Sequence, residues 1–145
     1  MSTGLAVFDT TVQETNEWLA ALERQLKCDR HQAYSFLRAV MHTLRDELPL
    51  HGMIGLSAQL PMLLRGLVLE GWRPEGTVAK TDDPDQFNEV MLARLPASAE
   101  LEPYTIVRAV MSVMAERIDP GEMAKIMSLL PARQHTYWPA NVWAE

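Results

Sequence analysis

Two runs in this chain repeat each other. Tyr34-Ser-Phe-Leu-Arg38-Ala-Val-Met41 returns as Tyr104-Thr-Ile-Val-Arg108-Ala-Val-Met111, 70 residues further on. The register continues without a gap. Met53 meets Met123, Leu60 meets Leu130 and Pro61 meets Pro131. Self-similarity at a fixed offset marks one supersecondary unit used twice. The sequence therefore predicts two degenerate three-helix repeats, roughly 12–72 and 84–138, inside a single helical domain spanning 1–145. Two units are too few for a solenoid. The expected fold class is all-α, a compact helical bundle of about seven helices.

Helix boundaries are written in caps and prolines. Thr11-Val-Gln-Glu14 and Asp29-Arg-His-Gln32 have the form of capping boxes, in which side chains satisfy free backbone N–H groups. Pro49 stops the second helix because it lacks the N–H that the ladder needs. The third helix is expected from about His51 to Gln59, with Met53, Ile54, Leu56 and Leu60 facing inward. Pro61 then suits the first turn of a fourth helix, and Gly71 suits a left-handed stop. Met62, Leu63, Leu64, Leu67, Val68 and Leu69 cover nearly the whole circumference of that fourth helix. A helix apolar all round is expected to be buried on all sides, here centrally between the halves. Arg73 to Asp83 reads as a polar linker, broken by Pro74 and Gly76.

Three blocks carry a family resemblance: Arg38-Ala-Val-Met-His-Thr-Leu-Arg-Asp-Glu-Leu48, then Ala58-Gln-Leu-Pro-Met-Leu-Leu-Arg-Gly66, then Gly71-Trp72. In this order they resemble the signature of the bacterial domain-of-unknown-function family 2267. The chain departs from that signature at Leu67-Val-Leu-Glu70. The resemblance implies a small, all-helical, cytoplasmic bacterial protein, and it implies no activity.

Charge and composition narrow the function classes. The net charge is −6, and the only lysines are Lys27, Lys80 and Lys125. Nucleic-acid binding draws on clustered Lys and Arg that displace counterions from phosphates, so no nucleic-acid partner is expected. No stretch approaches the roughly 20 apolar residues of a membrane span, so no membrane partner is expected. Cys28 is the single cysteine, which excludes an internal disulfide and fits a reducing compartment. With no secretory signal at Met1 to Asp9, the expected location is the cytoplasm.

The search for chemistry returns little. The chain holds no His-Glu-x-x-His and no Glu-x-x-His pair, so no metal and no cofactor are expected. Ser57 is not in a nucleophile elbow. Cys28 lies beside Lys27 and Arg30, which could lower its pKa, but no base partner can be named. His42 and Asp46 stand four residues apart and read as a pair on a helix surface. Arg38 and Arg108 occupy equivalent mid-helix positions. Each is expected to tie its helix to an acidic residue of its own unit, and the functional alternative is a pair of anion sites.

No catalytic residue is assigned. The candidate binding residues are Arg38, His42, Arg65, Trp72, Arg108 and Trp138. The leading expectation is a non-enzymatic helical interaction module that binds a protein partner or forms a homo-oligomer. Its surface would lie near the fourth helix, Trp72 or the aromatic residues Tyr137, Trp138 and Trp143. The alternative is a small apolar-ligand binding protein. Its pocket would lie between the repeats and be lined by methionines such as Met91, Met111, Met114, Met123 and Met127, though their helical spacing favours core.

Overall fold

The computed structural model describes residues 2–74, 84–96 and 100–130. They form seven α-helices in an all-α bundle: α1 (Ala6–Leu26), α2 (Arg30–Glu47), α3 (Leu50–Ala58), α4 (Met62–Leu69), α5 (Pro84–Leu92), α6 (Pro103–Arg117) and α7 (Pro120–Ser128). No strand occurs among the described residues.

The second capping box forms as the sequence predicts. Asp29 accepts from Gln32 N–H at 2.8 Å, and the Gln32 side chain accepts from Asp29 N–H at 3.0 Å. The first box does not form. Helix α1 begins earlier, at Ala6, and Leu5 gives it no side-chain cap. Thr11 therefore sits inside the helix, and its hydroxyl accepts from the backbone N–H of Leu63 at 2.8 Å. A residue that reads as the cap of its own helix caps α4 instead. The Asp9 carboxylate organises the new start, accepting from Thr3 N–H at 2.7 Å and from the Thr3 and Ser2 hydroxyls.

One cluster of buried side chains runs through all seven helices. Met91, Met111, Met114, Met123 and Met127 all belong to it. They fill core volume, as their helical spacing favours. Helices α1 and α2 pack on α6, α5 packs on α2, and α3 packs on α7. Under the 70-residue shift, α3 and α7 have the same limits, and α2 and α6 end together at Glu47 and Arg117.

Two packing expectations are corrected. Helix α4 is neither buried all round nor central. It lies against α1, α2 and α3. Leu64 and Val68 are buried, Leu67 and Leu69 are half-buried, and Met62 and Leu63 are each 48% exposed. The junction between the halves is already filled by other helix pairs, so the apolar outer side of α4 has no helix to cover it among the described residues. Ile54 is also outward, at 57% exposure. It stands about 100° around α3 from buried Met53, beyond the edge of the buried face.

The seam between α3 and α7 depends on a missing side chain. A Cβ placed on Gly52 would stand 2.6 Å from Leu129 Cδ1. Replacing Gly52 by Ala gains about 0.8–1 kcal/mol of helix propensity and asks only the tip of Leu129 to move. We expect Gly52→Ala to leave stability within about 1 kcal/mol of the parent. Gly52→Leu should lose about 1–3 kcal/mol by overpacking. Urea denaturation of both variants checks this; an unaffected Leu variant would mean that the seam is looser than described.

Candidate functional site

The residues holding α4 in place lie on one face of α2. Arg38, His42 and Arg45 are spaced four and three residues apart, so they form one stripe. The carbonyls of a helix's last turn have no partner within the helix, and cations are favoured there. His42 Nε2 lies 2.8 Å from Leu67 O. A carbonyl only accepts, so Nε2 carries the proton of the neutral ring. Arg45 Nη1 donates to Val68 O at 3.1 Å and to Glu70 O at 2.8 Å. Arg38 Nη2 donates to the Glu70 carboxylate at 3.1 Å.

Asp46 completes this latch from below. It accepts from Arg45 Nε at 2.9 Å and from Nη2 of Arg94, in the turn after α5, and Arg94 Nη1 donates to the Thr43 hydroxyl at 2.6 Å. The surface pair of His42 with Asp46 is therefore corrected. His42 is 4% exposed and reaches the backbone of α4, while Asp46 serves two arginines. Arg45 was not among the candidate residues, although the basic stripe of Arg38, His42 and Arg45 was the sequence signal for it.

The remaining candidates separate by role. Arg38 pairs with an acid of its own unit, as expected. Its side chain is 37% exposed and that of Glu70 is 65% exposed, so the pair contributes at most about 1 kcal/mol. Arg65 caps the end of α3, donating from Nε to Ser57 O at 2.9 Å and from Nη2 to Leu60 O at 3.1 Å. Trp72 packs half-buried against the core after Gly71, whose φ of +72° only glycine adopts without strain.

Arg108 departs from its counterpart. Its guanidinium lies 5.7 Å from the centre of the Tyr104 ring. Seventy residues after Glu70 stands Ala140, and the counterparts of His42 and Arg45 are Ser112 and Ala115. The sequence of the second unit thus lacks the residues of the latch. Trp138, with Tyr137 and Trp143, lies outside the described residues.

Beside the latch, α1, α2 and α4 enclose an open apolar crevice of about 730 Å³. Phe8, Val12 and Leu19 of α1, Leu63 and Leu67 of α4, and Tyr34 and Leu37 of α2 line it; Leu37 is fully buried and Tyr34 half-exposed. Helices α1 and α4 meet where Thr11 bonds Leu63. Several polar groups along it are already engaged. The Thr15 hydroxyl donates to Thr11 O, Asn16 accepts from Arg30, and Glu70 accepts from Arg38. The crevice is a different cavity from the expected Met-lined pocket between the repeats. It lies within the first half, and Met62 is the one methionine in its lining.

The nucleophile candidates are quiet. Burial, then Asp29 and Glu23, push the Cys28 thiol up rather than down; Arg30 is turned to Glu23 and Asn16 instead. The Ser57 hydroxyl donates to Ile54 O of its own helix. Among the described residues, no three His, Cys, Asp or Glu side chains gather as a metal site would, and no helix is long and apolar enough to cross a membrane.

Two predictions follow from the latch. Arg45→Met keeps the aliphatic stem but leaves the carbonyls of Val68 and Glu70 without their donor. It should cost about 1–3 kcal/mol in urea unfolding, with a smaller loss for Arg45→Lys. Burial, followed by nearby Arg45, Arg38 and Arg94, holds His42 below its ordinary value despite the opposing bond to Leu67. A depressed folded pKa contributes stability that is present above the unfolded value and is lost as pH falls through the folded one. The melting temperature should therefore fall as pH drops below about 6.5, and His42→Gln should flatten that part of the profile. A parallel slope in the variant would assign the acid sensitivity elsewhere.

Residues 15–136 match a family model described as Uncharacterized conserved protein (DUF2267). No curated protein matches the chain. The family match contains the whole latch, the three helices around the crevice apart from the first turns of α1, and the α3–α7 seam. Because it spans most of the sequence, the chain belongs to the DUF2267 family.

Proposed function

We propose that this protein is a non-enzymatic helical interaction module, and that its α1/α2/α4 crevice receives an apolar helical segment of a protein. The observation that carries this reading is the uncovered apolar surface along the crevice. Phe8, Val12, Tyr34, Met62 and Leu63 are each 40–48% exposed. Leu5 and Val7, at 54% and 53%, extend the apolar surface beyond the cavity itself. A small ligand would use the enclosed part only, whereas a helix laid in a groove uses the walls and the lip. Most of the lining is apolar, and Thr11, Thr15 and Glu70 are already hydrogen-bonded, so the crevice offers little to a polar substrate. Glu70 is the only ionised residue in the lining, and Arg38 already pairs with it, which favours a segment of low charge.

The volume supports a second reading, a small apolar ligand, since about 730 Å³ lies within the usual range of ligand pockets. We place the protein in the cytoplasm, a reading supported by the unpaired Cys28. We also take the bundle to be two degenerate units, supported by the shared limits of α3 and α7 and by their packing on each other.

A photo-crosslinking residue at position 63, expressed in the native host, tests the docking surface. A discrete protein adduct is expected at 63 and not at exposed His31 on α2, which does not line the crevice. A small-molecule adduct at 63 would favour the ligand reading, and no adduct at all would count against both.

A further inference from the structure

We infer that the segment received by the crevice is a second copy of this chain, with the first turns of α1 of each copy laid on α4 of the other about a two-fold axis. This rests on the crevice being a docking surface, and it names the partner.

The first argument is shape. Leu5, Phe8 and Val12 fall on one stripe of α1, spaced three and four residues apart. Val7 stands one turn ahead of Thr11, which marks the start of α4. The first turns of α1 thus project past their own α4 as an apolar knob, while the crevice supplies a hole. A two-fold interface needs both on the same patch, so that each copy gives what it takes. On α4, a Cβ at Gly66 would meet no atom within 4 Å, so a helix can approach that backbone closely.

The second argument is charge. Each chain carries a net −6, which opposes association through an arbitrary face. The facing segments escape this. Between Ala6 and Val12 the only ionised side chain is Asp9, and in α4 it is Arg65. Both are already engaged within their own chain, Asp9 by Thr3 and Ser2 and Arg65 by the carbonyls of Ser57 and Leu60, so the patch itself presents little charge to a second copy. The third argument is area. Seven large apolar side chains, from Leu5 to Leu63, are each about half exposed. They leave on the order of 400 Å² of apolar surface per copy. That lies within the ~300–600 Å² of a monomer's largest patch, which is often functional, and with a polar rim around it the contact would approach the ~800 Å² per partner of a standard interface.

Sedimentation equilibrium of the full chain between about 1 and 100 µM decides the matter. The expected species is a dimer, at twice the chain mass of 16.4 kDa. Leu63→Asp and Val7→Asp should each weaken it about tenfold or more. Both put an acid into the first turn of a helix, where it is tolerated, so circular dichroism and melting of the dilute protein should change little. A monomer throughout the range, or a dimer indifferent to both variants, overturns the proposal. Binding of an apolar fluorescent dye separates this from failure of the docking surface. A monomer whose dye binding is lost in Leu63→Asp retains the crevice as a site for another partner, and dye binding indifferent to Leu63 removes the crevice as well.

Discussion

The grip of α2 on the end of α4 is the interaction on which the rest of this structure depends. Helix α4 has only eight residues and buries only two of its side chains fully. A helix so short is not stable by itself in water, and its buried apolar area is small. Its position comes from polar contacts at both ends. Thr11 receives the N–H of Leu63, and His42 and Arg45 take the carbonyls of Leu67, Val68 and Glu70. Arg45 is buried, and its guanidinium satisfies two carbonyls and one carboxylate together. A lysine could not reproduce that fork.

The latch also explains why a crevice exists. Apolar packing alone would draw α4 down onto α1 and α2 along its whole length. Thr11 and the α2 stripe instead hold α4 by polar contacts near both of its ends. A crevice remains between it and α1, with Met62 and Leu63 half-exposed in its lining. Through Asp46 and Arg94 the same cluster reaches the turn after α5, so the helix that borders the crevice is tied to the second half of the bundle.

That second half is alike in backbone and different in chemistry. Its helices α6 and α7 follow α2 and α3 closely in length and register, and the two sets pack on each other through a seam that Gly52 keeps thin. Yet where the first unit has His42 and Arg45, the second has Ser112 and Ala115, and Arg108 lies over Tyr104 instead of meeting an acid. The limits of α3 and α7 coincide under the 70-residue shift, while the polar stripe of His42 and Arg45 has no counterpart in the second unit. A function that uses the stripe or the crevice is therefore expected of the first half.

The sequence by itself determined the elements: seven helices, their prolines, the Asp29 capping box and the five core methionines. These depend on local backbone chemistry and on apolar periodicity, both of which are written within a few residues. It did not determine partners across the fold. Thr11 and Glu14 have the form of a box, but the donor that the Thr11 hydroxyl accepts from is Leu63 N–H, 52 residues away. His42 and Asp46 are neighbours on one helix turn, but burial directed the ring to Leu67 and the carboxylate to Arg94. Helix α4 reads as central because its composition records hydrophobicity, and hydrophobicity does not say what is available to cover it. Only the tertiary structure decided that, because the other helix pairs had already filled the junction between the halves and left the apolar side of α4 facing outward.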